Sequence, residues 1–174
     1  MAQVVLAGGC FWCLDSVFRR VRGVTDVVSG YTGGVTQHPT YQQVCTGATG
    51  HAEAVLVRYD ADQVSLDQLL DVFFTMHDPT TLNRQGADVG TQYRSALFFA
   101  DDDQRAAFER AIVRSGQLWT QPIVTTLEPL GAFYDAEEYH QDFFAKNPTQ
   151  GYCQAVVPPK IAKVRAKNAD LLRD

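Results

Sequence analysis

The chain has 174 residues, 45% hydrophobic, 20% charged and 11% aromatic, with a net charge of −5. That length suits one domain burying about two thirds of its unfolded surface, and the composition is that of an ordered globular protein. The acidic balance provides no field toward phosphate backbones or anionic lipid, so neither nucleic acid nor a membrane is an expected partner.

In chain order, the apolar run QVVLA (3–7) predicts a buried strand, broken by Gly8 and Gly9. Phe11, Leu14, Val17, Phe18 and Val21 then recur at helical spacing, with Gly23 suited to follow the helix end. VTDVVSGY (24–31) reads as a second strand. The connection over 32–50 is rich in Gly and Thr without clear periodicity, and connections this long are usually functional or mobile.

HAEAVLVRYD (51–60) alternates as a strand, with Glu53, Val55, Val57 and Tyr59 on one face. A helix is expected over 65–78 with Ser65 as its N-cap, followed by a second long connection, DPTTLNRQGADVGTQ (78–92). YRSALFFA (93–100) predicts a strand, and the acidic start of residues 101–116 suits a helix ending near Gly116. IVTTLEPL (123–130) is a further strand. Residues 135–148 read as a helix, because Asp135 and Glu138 have capping-box spacing and Pro148 stops it.

This mixture predicts an α/β fold of the α+β two-layer kind: a mixed, largely antiparallel sheet with packed helices and long functional loops. Residues 1–158 are expected to form one domain. Residues 159–174 form a C-terminal tail, either helical or solvated. Within it, Lys160, Lys163, Arg165 and Lys167 concentrate positive charge, the usual signature of a solvated face.

The N-terminus has neither a basic n-region nor a long apolar run, and no later stretch approaches a membrane span, so a cytoplasmic protein is expected. There, the four cysteines should rest as thiols, and any disulfide would be transient and catalytic. Cys10 lies where strand turns into helix. Unpaired N–H groups and the helix dipole favour its thiolate and should lower its pKa. Cys13 follows one turn later, at a redox-motif spacing. Cys45 has apolar or small neighbours and reads as structural, whereas Cys153 sits in the Gly-containing NPTQGYCQAV (147–156), a segment able to carry a thiol to a reactive one.

Metal chemistry is not indicated. A structural zinc site needs four ligands, and Cys45, Cys153 and the histidines show no second paired spacing. His51–Glu53 has the H-x-E of zinc deaminases, but the C-x-x-C lies upstream instead of downstream. Glu137 and His140 form one E-x-x-H where a di-iron bundle needs two, so capping and packing explain them better.

The segments GGCFWC, SGYTGG, PTYQQVCTGATGHAEAV, FFTMHDPTTLNRQGADVGTQYRSALFF, FYDAEEYHQDFF and NPTQGYC occur in this order. Together they give the chain a resemblance, over roughly residues 4–158, to the A-type peptide-methionine (S)-S-oxide reductases. The resemblance implies thiol-dependent reduction of methionine (S)-sulfoxide, free or in proteins, as a repair of oxidised proteins. It implies thioredoxin as reductant and no cofactor.

Carried over position by position, Cys10 is the implied nucleophile and Glu53 the acid. Burial would raise the Glu53 pKa so that it arrives protonated. Tyr41 and Tyr93 match hydrogen-bond donors to the sulfoxide oxygen, and Asp88 matches a further polar residue of that site. Phe11 and Trp12 match the aromatic wall around the substrate methyl group.

The sulfenic acid left on Cys10 is to be condensed to a disulfide, with Cys153 at the family's resolving position. Many relatives have Gly in place of Cys13. Two routes are therefore open: Cys153 attacks directly, which is the favoured route, or Cys13 acts as an early or relay partner, which needs local adjustment on its helix to meet disulfide geometry. A general thiol–disulfide oxidoreductase using Cys10 and Cys13 is the main rival, and a peroxide sensor on the same scaffold is a second.

Overall fold

A computed structural model describes residues 1–173. Six strands form one sheet: β1 (Ala2–Gly8), β2 (Val24–Thr32), β3 (Ala52–Tyr59), β6 (Ser95–Phe99), β7 (Thr126–Pro129) and β8 (Phe133–Asp135). Their spatial order is β7-β6-β1-β3-β2-β8, and every pairing is antiparallel except β6 with β7. The expected mixed, largely antiparallel sheet is present. A separate two-stranded ribbon, β4 (Arg84–Gln85) with β5 (Asp88–Val89), lies in the second long connection.

Helices α1 (Phe11–Phe18), α3 (Leu66–Met76), α4 (Asp102–Gly116) and α6 (Gly151–Asn168) contribute to the main core, together with Val55, Val57 and Tyr59 of β3. A smaller cluster of Val5, Ala7, Ala52, Ala54, Ala96 and Phe98 occupies the alternate strand positions. β1 and β3 are thus buried on both faces at their central positions, with Glu53 as their buried polar exception. Ser65 and Gln68 form the capping box of α3, the Ser65 hydroxyl accepting from the Gln68 N–H.

The structure differs from sequence expectation in several elements. The connection over 32–50 contains a short helix, α2 (Tyr41–Cys45), closed by a capping box between Thr40 and Gln43. Strand β6 begins only at Ser95, because Thr91–Tyr93 forms a 3-10 turn that positions Tyr93.

The helix expected over 135–148 is broken. Asp135 pairs with Gly30 at the sheet edge, Glu138–His140 is a 3-10 turn, and only α5 (Phe143–Lys146) is helical. The Gln141 side chain binds Ser29 N and O and the Ala136 carbonyl, and the Ala136 N–H donates to Ser29 O. These long-range bonds satisfy the backbone that a helix would have used, and tertiary pairing prevails over the local cap.

Cys153 is not in a loose segment. It is buried in the first turn of α6, whose N-cap Gln150 accepts from the Cys153 N–H. The helix passes through Pro158 and Pro159. The two carbonyls deprived of donors belong to Gln154 and Ala155, both exposed, where water can replace the lost bonds. Val157 and Val164 anchor its inner face, and Leu172 bridges to Val21 beyond α1. No helix among the described residues is long and apolar enough to cross a membrane.

Candidate active site

The end of β1 turns into α1 at Gly8, Gly9 and Cys10. Gly9 has φ +93°, and a Cβ there would lie 2.7 Å from Gln85 Cγ, so the tight turn and the approach of the β4–β5 ribbon both require glycine. Cys10 is the N-cap residue of α1, 9% exposed. The next backbone N–H, that of Phe11, donates to Glu53 Oε1 at 3.1 Å. One turn of chain therefore couples the thiol and the carboxyl.

Glu53 is 1% exposed, and its Oε2 has no hydrogen-bond partner among the described residues. Burial pushes its pKa up to about 8; the Phe11 N–H opposes this, while charges on Asp88 and Cys13 add to it. Near neutral pH the carboxyl is mainly protonated, with one oxygen unengaged. That is the state of a proton donor.

The four cysteines are free thiols. The expected lowering of the Cys10 pKa is reversed. The helix start does supply a stabilising N–H, from Trp12, but burial outweighs it, reinforced by the hydrogen bond to Cys13 and the negative charge of Glu53. Cys13 shifts in the opposite direction, lowered by the hydrogen bond from Cys10 against the cost of its own burial, with further help from Lys160. Burial raises Cys153 to about 11, with a contribution from Cys13. Cys13 thus interacts with both other buried thiols.

Tyr41 opens α2 and Tyr93 closes the 3-10 turn, each half-buried. Burial and then the charge of Glu53 raise both phenols well above the ordinary tyrosine range, so both remain donors. The Tyr41 hydroxyl also interacts with Cys45, which is exposed at the end of α2 and is not the buried structural thiol expected. Phe11 is fully buried, near-parallel to Tyr41 at 6.3 Å between centroids. Trp12 is partly exposed, stacks on Phe143 at 3.8 Å and donates to His140 Nδ1 at 3.0 Å.

Asp88 accepts a hydrogen bond from the Tyr152 hydroxyl. The two line a cavity of about 100 Å³ with Cys10, Cys13, Gln85 and Lys160.

Several further residues surround the site. Glu137 accepts from the Tyr31 hydroxyl at 2.8 Å and from the Tyr41 N–H at 3.0 Å, tying the 3-10 turn to α2. His140 is completely buried among Phe11, Trp12, Tyr41 and Tyr139. Glu137 and His140 thus pack and cap, as their isolated motif suggested. Lys160 departs from the expected solvated face, whereas Lys163, Arg165 and Lys167 are exposed.

The family profile described as peptide methionine sulfoxide reductase matches residues 2–171. A peptide methionine sulfoxide reductase MsrA from Clavibacter michiganensis subsp. michiganensis is 63% identical over 99% of each chain. The crystal structure of Mxr1 from Saccharomyces cerevisiae in reduced form superposes with a TM-score of 0.80, at 39% identity over 86% of this chain and 87% of that one. Mxr1 in complex with Trx2 gives a TM-score of 0.58, at 28% identity over 82% and 84%. The chain belongs to the peptide methionine sulfoxide reductase family.

Proposed function

We propose that this protein reduces methionine (S)-sulfoxide, free or within oxidised proteins, to methionine, with thioredoxin as the reductant. The carrying observation is Glu53: a buried carboxyl raised to about 8, with Oε2 unengaged and Oε1 held by the residue that follows Cys10. It can give a proton to the sulfoxide oxygen while Cys10 attacks the sulfur.

Cys10 is the nucleophile, and Cys13, one helical turn on and shifted toward its thiolate, takes the Cys10 thiol proton. Tyr41 and Tyr93 donate to the oxygen as it gains charge, and Asp88 orients neighbouring groups through Tyr152. Trp12, the partly exposed member of the Phe11–Trp12 pair, offers its ring to the methyl group with Phe11 packed behind it. An apolar wall and hydrogen-bond donors fix different substituents of a chiral sulfur, which selects one epimer. Methionine leaves, and Cys10 becomes a sulfenic acid. Cys153 and Cys13 are the thiols that resolve it.

Thioredoxin as the reducing partner is supported by the likeness to Mxr1, which has been captured with Trx2. A low-potential dithiol suits reduction of the resulting disulfide. In this reading the protein acts in the cytoplasm, with the catalytic residues within 1–158; the C-terminal extension that follows is continuous with them through α6, which runs from Gly151 to Asn168.

The test is steady-state turnover with thioredoxin, thioredoxin reductase and NADPH on each epimer of methionine sulfoxide. Turnover of the S epimer alone is expected; equal turnover of both, or none, overturns the reading. Glu53→Ala separates it from the rival disulfide oxidoreductase. Sulfoxide reduction should fall by about 10²-fold or more while disulfide exchange persists.

A further inference from the structure

We propose that Lys160 is a positioning residue, the counter-ion of a Cys13 thiolate, and that this pair makes Cys13 the first thiol to condense with oxidised Cys10. The inference rests on the sulfoxide-reductase reading and extends it to a residue in the C-terminal extension.

Lys160 lies on α6 and is half-buried, lining the same small cavity as Cys10, Cys13, Asp88 and Tyr152. Among the described residues its ammonium forms no ion pair, and its one hydrogen bond goes to the Met76 carbonyl, at the end of α3, at 3.2 Å. An ammonium has three N–H donors, so two remain. A partly buried cation without an ion pair is unfavourable unless an anion faces it, and Asp88 and the two thiols of this cavity are the candidates.

The charged and titratable groups around Cys13 identify that anion. Asp88, from β5, raises the Cys13 thiol and is itself bound by Tyr152. Glu53 is mainly protonated near neutral pH. His77, beyond α3, is held neutral with its pKa near 3, chiefly by burial. Cys153 is raised to about 11 and Cys10 is raised as well, so both hold their protons. Burial lowers the Lys160 pKa and Lys163 on the same helix adds to this, while Cys13 first, then Cys10 and Asp88, oppose it. Cys13 is the thiol shifted toward its anion, by the hydrogen bond from Cys10 and by Lys160.

The chemistry then balances. Having taken the Cys10 proton during attack, Cys13 releases it to the Glu53 carboxylate, and Lys160 stabilises the thiolate. Cys13 Sγ attacks the sulfenic sulfur: the S–S bond forms and the S–O bond breaks. The departing hydroxide takes the proton back from Glu53 and leaves as water. Cys13 is oxidised and the Cys10 sulfur is reduced from sulfenic acid to disulfide. Cys153, which interacts with Cys13, can exchange into this disulfide afterwards.

The experiment first uses the reduced full chain without substrate, following thiolate absorbance against pH in wild type, Cys13→Ser, Lys160→Met and Lys160→Arg. Wild type should show one thiolate step below those of the other three cysteines, missing in Cys13→Ser. Lys160→Met should move the step up by about one pH unit or more, and Lys160→Arg should restore it. If Lys160→Met does not fold, Lys160→Gln is read in the same way.

One equivalent of methionine (S)-sulfoxide is then added and disulfides are trapped over time. Cys10–Cys13 should form first, about tenfold more slowly in Lys160→Met near neutral pH. A wild type without the early step, a step indifferent to Lys160, or Cys10–Cys153 as the first disulfide overturns the inference. Failure to form methionine would instead overturn the reductase reading, which the substrate-free titration does not depend on.

Discussion

Replacing Glu53 with Gln keeps the shape of the side chain but removes its titration. In the folded protein the carboxyl is raised from the ordinary 4.5 to about 8, principally by burial. Between those values the native state holds a proton that the unfolded chain has already lost. The unfolded state therefore binds fewer protons, and stability must fall as pH rises through this window, levelling off above about 8. At ~1.4 kcal/mol per pH unit the full cost of ionising Glu53 is on the order of 5 kcal/mol, of which about 3 is present near neutral pH.

Denaturant unfolding of reduced wild type and Glu53→Gln, from mildly acidic to alkaline pH, measures the difference directly. The two should coincide near pH 4.5, with the variant progressively more stable above it. Asp15, also raised by burial to about 6, titrates in both proteins and cancels. Catalysis should show the opposite balance: wild-type kcat/KM declines above about pH 8 as the acid is lost, and the variant is slow throughout. A stability difference that stays constant with pH would refute the buried, protonated carboxyl and the proton donor derived from it.

Tyr41→Phe and Tyr93→Phe should each lower kcat/KM by about 10²-fold, because each removes a donor to the developing negative oxygen. Steady-state rates on the S epimer check this, and wild-type rates would remove the tyrosines from the site. Trp12→Ala should raise KM by about tenfold through loss of the methyl contact, with a smaller effect on kcat; a purely kcat effect would contradict the wall. Gly9→Ala should cost ~1–3 kcal/mol, since φ is +93° and the new Cβ meets Gln85 at 2.7 Å. An unchanged thermal midpoint would show that the turn relaxes freely.

Local chemistry made much of this protein legible in the sequence. Alternation and apolar runs marked the strands, and the Ser65 N-cap marked α3, because these signals act between residues within one or two turns. The α/β class followed from their mixture, and the ordered segments matching the reductases brought Cys10, Glu53, Tyr41, Tyr93 and Asp88 forward. Cys10 at the head of a helix was readable for the same reason.

Distant residues decided the remainder. The cap at Asp135 and Glu138 was a sound local signal, yet Gly30, Ser29 and Gln141 drew that backbone into sheet and turn. Cys153 became a buried helical residue through the core, and Lys160 left a nominally solvated face to line the cavity beside Cys13. The ionisation of the site shows the division best: a helix start lowers a thiol, but the enclosure that raises both Cys10 and Glu53 is assembled from elements across the whole chain. Desolvation depends on which surfaces close over a group, and that is set by tertiary packing rather than by neighbours in sequence.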